Sequence, residues 1–393
     1  MKPVVKTLCA LALATALCSC SPGGANESSS VLEESIPSSS ESTLPGYVYG
    51  ENEMYQDIWN SKTIYNETVV PVEQDDGTFS SQLLYAPTRI ISVRNFTLER
   101  EYSPDEYRIE GNRLILTENS TMPRLTKANV SCEEVPETLG TYEDGKGGHI
   151  LFTEGIGVIM QQVNVTYEHE GTWDGTIPEK QGAKLPKLQA KLKAKDPIRL
   201  VVNGDSIFTG ANASGKLGIE PFQDTFPDGF ANEIKRVYGS SVTLTNTAVG
   251  GQVSSWGRQN VENNINLFNP DLVIIGFGMN DGSWNVSSFD YVDNIDFMIR
   301  SIKANCPDAE IIVASTIVAN PSSSQNKGQA SYLEPLKDMV SEYEGVALLD
   351  MTTFSLDLLR HKNSFELYAN NINHPCDFLV RGYVSNLMNL IKE

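Results

Sequence analysis

Beyond residue 196 the chain alternates short, wholly apolar runs with longer stretches of helical character, and this pattern constrains the fold more than any other feature. The runs fall at 198–202, 242–246, 272–277, 311–315 and 346–349, with helical stretches such as 287–304 and 329–343 between them. A strand with one face in water alternates polar and apolar residues, whereas a strand that is apolar throughout is buried on both faces. Such strands separated by helices specify a parallel sheet covered on each side, a three-layer α/β domain over 197–393. Sheets of this kind bind their ligands just beyond the carboxyl ends of the strands. The chemistry is therefore to be sought in the residues that follow each run.

The first run ends in Asn203, Gly204, Asp205 and Ser206, which sets a serine hydroxyl on a turn at the mouth of the sheet. The second is followed by Asn246 to Gln252, with Gly250 and Gly251, and the third by Gly276 to Asp281, a Gly-x-Asn-Asp block at 278–281. Asn373, His374 and Pro375 precede the last helical stretch. Serine is a weak nucleophile unless a neutral base takes its proton, and histidine is the usual base. Of the four histidines, His149 and His169 fall in the first half of the chain, and His374 is the one that a following proline pins at a helix start. A glycine N–H at 251 and an amide at Asn280 are the donor types that a developing oxyanion requires.

Together these four blocks resemble the SGNH (GDSL) hydrolase superfamily, whose order they keep across 197–393. The resemblance implies Ser206 as nucleophile, Gly251 as the oxyanion glycine, Asn280 as the oxyanion amide beside the Ser206 N–H, and His374 as general base. The family usually carries an aspartate three residues before the histidine; here that position is Asn371. Asn-for-Asp replacement in a serine-protease triad costs ~10⁴ in kcat, because the wrong ring tautomer is favoured. Either a backbone carbonyl or the Asn371 oxygen then orients His374, giving a Ser–His dyad, or an acid comes from elsewhere. We favour the backbone-held dyad, since an amide can turn its NH₂ to the ring as readily as its oxygen. Asp377, three residues after His374, reads as an acid placed favourably in the first turn of the last helix.

The first half reads differently. Runs at 90–93, 96–98, 107–109, 114–116, 158–160 and 163–167 are strand-like, and Gly111-Asn112 supplies a hairpin turn. With no long helical period between them, residues 47–180 are expected to form a β-sandwich of jelly-roll type. Trp59, Tyr142 and Trp173 are expected in core or interface packing. Residues 181–196 form a basic connector whose Leu185, Leu188 and Leu192 share one helical face and pack between the two parts. A β-rich region ahead of the hydrolase blocks is similar to the arrangement in some carbohydrate esterases that deacetylate polysaccharides. That likeness implies an acylated polysaccharide as substrate.

Residues 1–19 have the character of an export signal: Lys2 and Lys6 precede an apolar stretch, 8–17, too short to span a bilayer. Leu17-Cys18-Ser19-Cys20 resembles the bacterial lipobox, which implies a lipid on Cys20 and a location at the cell surface or envelope, held to the membrane by that anchor alone. The Ser- and Pro-rich segment 20–46 buries too little apolar area to order itself and reads as a tether. Cys132, Cys306 and Cys376 remain in the body, an odd set without metal spacing, and are expected as small buried or half-buried residues. No phosphate loop, zinc-ligand cluster or dinucleotide fingerprint is present, so no metal or cofactor is expected. A net charge of −20 disfavours nucleic acid as a partner, because binding it needs a basic face. Two rivals to a short-acyl esterase remain: a long-chain acyl esterase or thioesterase, and a glycan-binding protein without catalysis.

Overall fold

The computed structural model describes residues 55–393, so the expected signal segment 1–19, Cys20 and the tether 20–46 lie outside the described residues. From Thr63 to His169 the chain forms antiparallel strands. They are β1 (Thr63–Val69), β2 (Val72–Glu73), β3 (Phe79–Gln82), β4 (Pro87–Asn95), β5 (Tyr107–Glu110), β6 (Arg113–Leu116), β7 (Gly140–Glu143), β8 (His149–Phe152) and β9 (Val163–His169). They pair as three small sheets in the orders β1-β9-β4, β2-β3-β6-β5 and β7-β8. The hairpin at 107–116 turns at Gly111, whose φ of +61° suits a residue without a side chain. Two expected strands are absent. Residues 96–98 form a turn in which Leu98 takes a φ of +63°, and Val158–Met160 lie at a 3₁₀ turn over Ile159–Gln161. A three-residue apolar run carries no period, and at 158–160 Val158 is buried with Leu139 and Leu151 while Met160 is exposed.

The apolar runs after 196 form the parallel strands β10 (Ile198–Gly204), β11 (Val242–Asn246), β12 (Leu272–Gly276), β13 (Glu310–Ala314) and β14 (Val346–Leu349). Their order is β11-β10-β12-β13-β14, all parallel. The order reverses at β10, so the crevice between the ends of β10 and β12 is the topological switch point where such sheets bind ligands. Along β10, Val201 faces one helical layer with Val261, Ile295 and Leu336, while Leu200 and Val202 face the other with Phe230, Leu379 and Tyr383. The connector forms the helix Pro186–Ala194, with Leu185, Leu188 and Leu192 buried as expected.

The expected boundary over 181–196 separates two kinds of sheet, yet one core runs across it. Ile64, Val165 and Tyr167 of the antiparallel region belong to the same hydrophobic cluster as Leu200, Phe230 and Tyr383. The helix Asp377–Leu390 lies between and is buried on nearly all sides. Its polar residues are matched to that position: Arg381 donates to the carbonyls of Tyr65 and Asn66 and to Gln223 Oε1, and Ser385 to the carbonyl of Tyr55. Trp59 and Trp173 are buried, and the Tyr142 hydroxyl accepts a hydrogen bond from Gln325, so all three aromatics serve packing. Cys306 and Cys376 are free thiols in different clusters, and Cys132 is free and half-buried. Among the described residues no helix is long and apolar enough to cross a membrane.

A buried ionic group joins the regions a second time. Lys362 Nζ lies 2.6 Å from Glu67 Oε1, with neither side chain exposed, and also donates to the carbonyl of Gln82. Glu67 accepts further from the Leu84 N–H and the Tyr167 hydroxyl. Glu366, 3.9 Å from Lys362, accepts from the Val70 N–H and from Ser81. Burial pushes the Glu366 carboxyl up, and Lys362 opposes that. Removing one partner of a buried pair strands the other, at a cost of about 3–5 kcal/mol. Lys362→Met is therefore expected to lose that much stability in urea unfolding; a loss below about 1 kcal/mol would show that the group adds nothing to the fold.

Candidate active site

The turn after β10 is built to present Ser206. Gly204 and Gly276 face each other across the β10–β12 pair, where a Cβ on Gly204 would sit 2.3 Å from the Gly276 carbonyl and one on Gly276 would sit 1.8 Å from the Phe208 ring. Only glycines let that ring pass beneath the turn. Asp205 is buried; its N–H donates to the Gly276 carbonyl, its Oδ1 accepts from the Ile207 N–H, and its carbonyl accepts from the Phe208 and Thr209 N–H groups. Burial, with the charge of Asp281 adding to it, pushes the Asp205 carboxyl up to about 7. The structure thus assigns Asp205 to the scaffold of the turn and leaves Ser206 facing the crevice.

His374 is brought to Ser206 by a tight loop. Asn370 Oδ1 accepts from the N–H groups of Ile372, Asn373 and His374, at 2.9, 3.0 and 3.1 Å, and the Ala369 N–H donates to the His374 carbonyl. The ring then lies with Nε2 at 3.0 Å from Ser206 Oγ. Burial lowers the His374 pKa to about 4, so the ring is neutral, as a general base must be, at any higher pH. Of the other histidines, His169 stacks on Tyr85 and His361 faces Asp174 at 2.8 Å.

What orients His374 differs from the expectation. Its Nδ1 lies 2.5 Å from Asn212 Oδ1, neither on a backbone carbonyl nor on Asn371. Asn212 Nδ2 donates to the carbonyl of Glu154 at 3.0 Å. That bond commits the NH₂ elsewhere and leaves the oxygen for the ring, which selects the tautomer with a proton on Nδ1 and a free lone pair on Nε2. Asn371 takes a φ of +63°, donates to the carbonyl of Leu151 and accepts from Asn320, so it braces the loop. Asp377 Oδ1 accepts from the Ser214 N–H and starts the last helix; it does not contact the ring. A carboxylate does approach: Glu154 Oε2 lies 3.5 Å from His374 Nδ1. Neither Asn212 nor Glu154 stands in a recognisable motif. Asn212 takes a φ of +64°, a conformation asparagine tolerates, but that is only a weak local signal.

The loop that carries the expected oxyanion glycine lies against the serine turn. A Cβ on Gly250 would lie 3.7 Å from that of Ser206, which puts the β11 loop against the serine. Gly251 has a φ of +76° with open space where its Cβ would be. Asn280 Nδ2 donates to the carbonyl of Gln252 at 2.9 Å, and Asp281 accepts from the Ser254 N–H, so the β11 and β12 loops are fastened together. The assembly offers a hydroxyl and a neutral ring with an oriented acceptor behind it, with the glycine loop after β11 against the serine.

The Asp205 carboxyl gives a test with a definite sign. Because its pKa is raised in the folded protein, the fold loses stability as pH rises from the unfolded value, near ~4, to about 7. That loss is at most about 4 kcal/mol. A neutral side-chain amide in its place would still accept from the Ile207 N–H through its oxygen. Asp205→Asn is accordingly expected to melt several degrees above the parent at pH 8, with the gap closing towards pH 4; a gap independent of pH would refute the assignment.

Residues 202–375 match the GDSL-like Lipase/Acylhydrolase family. No curated protein matches the chain. Among solved structures, a two-domain esterase active on acetylated mannans, co-crystallised with mannopentaose, is similar at 16% identity and a TM-score of 0.43. The alignment covers 54% of this chain and 53% of that one, so the chain spans about half the length of that protein. An acetylxylan esterase from Geobacillus stearothermophilus is similar at 16% identity and a TM-score of 0.43, over 51% of this chain and 97% of its own. An alpha/beta hydrolase from the metagenome of Lake Arreo, Spain, is similar at 18% identity and a TM-score of 0.39, over 49% and 93%. The matched stretch carries Ser206, Gly251, Asn280 and His374, so this part of the chain is similar to a GDSL hydrolase domain.

Proposed function

We propose that the protein is a surface-anchored esterase that removes small O-acyl groups, acetyl foremost, from a polysaccharide through an acyl-enzyme. The observation that carries this reading is the 3.0 Å contact of Ser206 Oγ with His374 Nε2, backed by an acceptor at Nδ1. In this mechanism the neutral His374 takes the Ser206 proton as Oγ attacks the ester carbonyl. The oxyanion then meets the N–H groups of Ser206 and Gly251 and the second N–H of Asn280, donors worth ~3 kcal/mol each in the transition state. His374 returns the proton to the departing sugar hydroxyl, and water repeats the sequence on the acyl-enzyme.

One feature supports a sugar substrate. Trp284, four residues beyond Asn280 and 64% exposed, offers a ring face for a pyranose at the β12 end of the sheet. The anchor rests on the lipobox-like Leu17 to Cys20, and 20–46 would give the enzyme reach from the membrane. The inactive glycan-binding rival loses its motive, because Asn212 stands where the missing aspartate would act.

Ser206→Ala is expected to abolish ester turnover and fluorophosphonate labelling while leaving the melting temperature within a few degrees. Asn280→Ala should lower kcat by about 10²–10³ with little change in KM. Nitrophenyl acetate should be cleaved far faster than the dodecanoate, and acetate should be released from an acetylated polysaccharide. Preference for the C12 ester would replace this reading with the long-chain one. Cys20→Ser should end incorporation of labelled fatty acid; labelling that persists would remove the anchor.

A further inference from the structure

We propose that Glu154, supplied by the antiparallel region, is a positioning residue for His374: its main-chain carbonyl locks the Asn212 amide, and its carboxylate faces the imidazolium that forms during turnover. The proposal rests on the assignment of Ser206 and His374 above. Glu154 lies two residues past β8, on a hairpin fastened to the α/β part at three points. The Ser324 N–H donates to the Glu143 carbonyl, Gln325 Nε2 to the Tyr142 hydroxyl, and Asn371 Nδ2 to the Leu151 carbonyl, at 3.0, 2.7 and 2.7 Å. These contacts hold the loops 320–326 and 369–374 against the hairpin, and His374 is carried by the second of them.

The chemistry needs both parts of Glu154. The 3.0 Å bond from Asn212 Nδ2 to the Glu154 carbonyl settles which end of the amide meets the ring. An amide oxygen accepts the Nδ1 proton but carries no charge to balance a cation. When Ser206 gives up its proton, the His374 ring becomes an imidazolium in a buried setting that disfavours it. The Glu154 carboxylate, with Oε2 at 3.5 Å from Nδ1, is the charge placed to offset that cost. Its side chain is 65% exposed, so solvent screens the attraction, and the effect is moderate and sensitive to salt. Withdrawal of part of the carboxyl from water holds it above its ordinary range, and a hydrogen bond with Asn370 opposes this.

Among the described residues, the charged groups that follow His374 on the last helix are committed. Asp377 accepts from the Ser214 N–H, and Arg381 is held by Gln223, Tyr65 and Asn66. Asp205, beneath the serine turn, titrates up to about 7 and bends the pH profile of parent and variant alike. The difference between the two profiles therefore isolates Glu154.

The test compares the full-length protein in detergent with Glu154→Gln and Glu154→Asp, using nitrophenyl acetate, with Ser206→Ala as the floor. Kinetic pH profiles are recorded at low and high salt. Glu154→Gln is expected to lower plateau kcat about tenfold with KM within about twofold, which is the size a screened charge pair supports. The gap should close as the pH falls through the titration of the Glu154 carboxyl, where the parent loses the same charge. Glu154→Asp should restore most of the rate, and 1 M salt should narrow the gap between parent and Glu154→Gln. A pH profile and plateau that superimpose on those of the parent would overturn the proposal. So would equal losses in both variants that neither pH nor salt changes, which is the signature of packing alone. Activity surviving in Ser206→Ala would instead overturn the underlying assignment.

Discussion

The contact of Glu67 with Lys362, 2.6 Å apart with neither side chain exposed, is the constraint on which the placement of the site depends. Two opposite charges can be held in a protein core only when every remaining donor and acceptor is matched, because desolvation costs several kcal/mol per ion. Here the matching groups come from β1, β3 and β9 on one side and from the segment 362–366 on the other. A shift in either part would leave a charge bare, so the antiparallel region and this segment share one register. The segment leads directly into the Asn370-centred loop that holds His374. The position of the base is thus set from a region that precedes the catalytic sheet in sequence.

The parallel sheet was legible because five buried strands need five apolar runs, and nothing else in a soluble domain demands them at that spacing. The connector helix was legible for a similar reason, with Leu185, Leu188 and Leu192 a turn apart. Residues 96–98 and 158–160 were misread because a run of three carries no period that separates a strand from a buried turn. β1 escaped notice: its sequence Thr-Ile-Tyr-Asn-Glu-Thr-Val places Glu67 and Asn66 where a strand facing solvent would have them, whereas both are buried against matched partners. Polar residues that are buried because a distant segment satisfies them are invisible to any local reading.

The site divides along the same line. The pairing of Ser206 with His374 was legible because one stands at a strand end and the other before a helix start, where local chain geometry sets the position. The residue behind His374 was not. Asn371 was the natural candidate by spacing, but its φ of +63° and its bonds to Leu151 and Asn320 turn it away. Asn212 and Glu154 reach the ring only because the hairpin β7–β8 folds across the loops beyond β13 and β14.

Why an amide can serve where a carboxylate is usual follows from separating two tasks. The third member of such a site selects the tautomer and balances the cation. Tautomer selection needs an acceptor that cannot turn over, and Asn212 becomes one because its NH₂ is bound to the Glu154 carbonyl. An amide introduced by substitution in a triad lacks that restraint, which is the source of the large loss such changes cause. Balancing the cation needs charge, and a charge need not touch the ring to supply it. At about 4 Å a carboxylate contributes about 1 kcal/mol in water and about 4 kcal/mol at the effective dielectric near a protein surface. Glu154, largely exposed, belongs towards the lower end of that range. The ring, lowered to about 4 by burial, is correspondingly a weak base that is never lost to protonation above mildly acidic pH. A weak base with a firm tautomer and a screened counter-charge suits an ester, whose leaving group is an alcohol. That reaction asks less of the general acid–base than cleavage of an amide does.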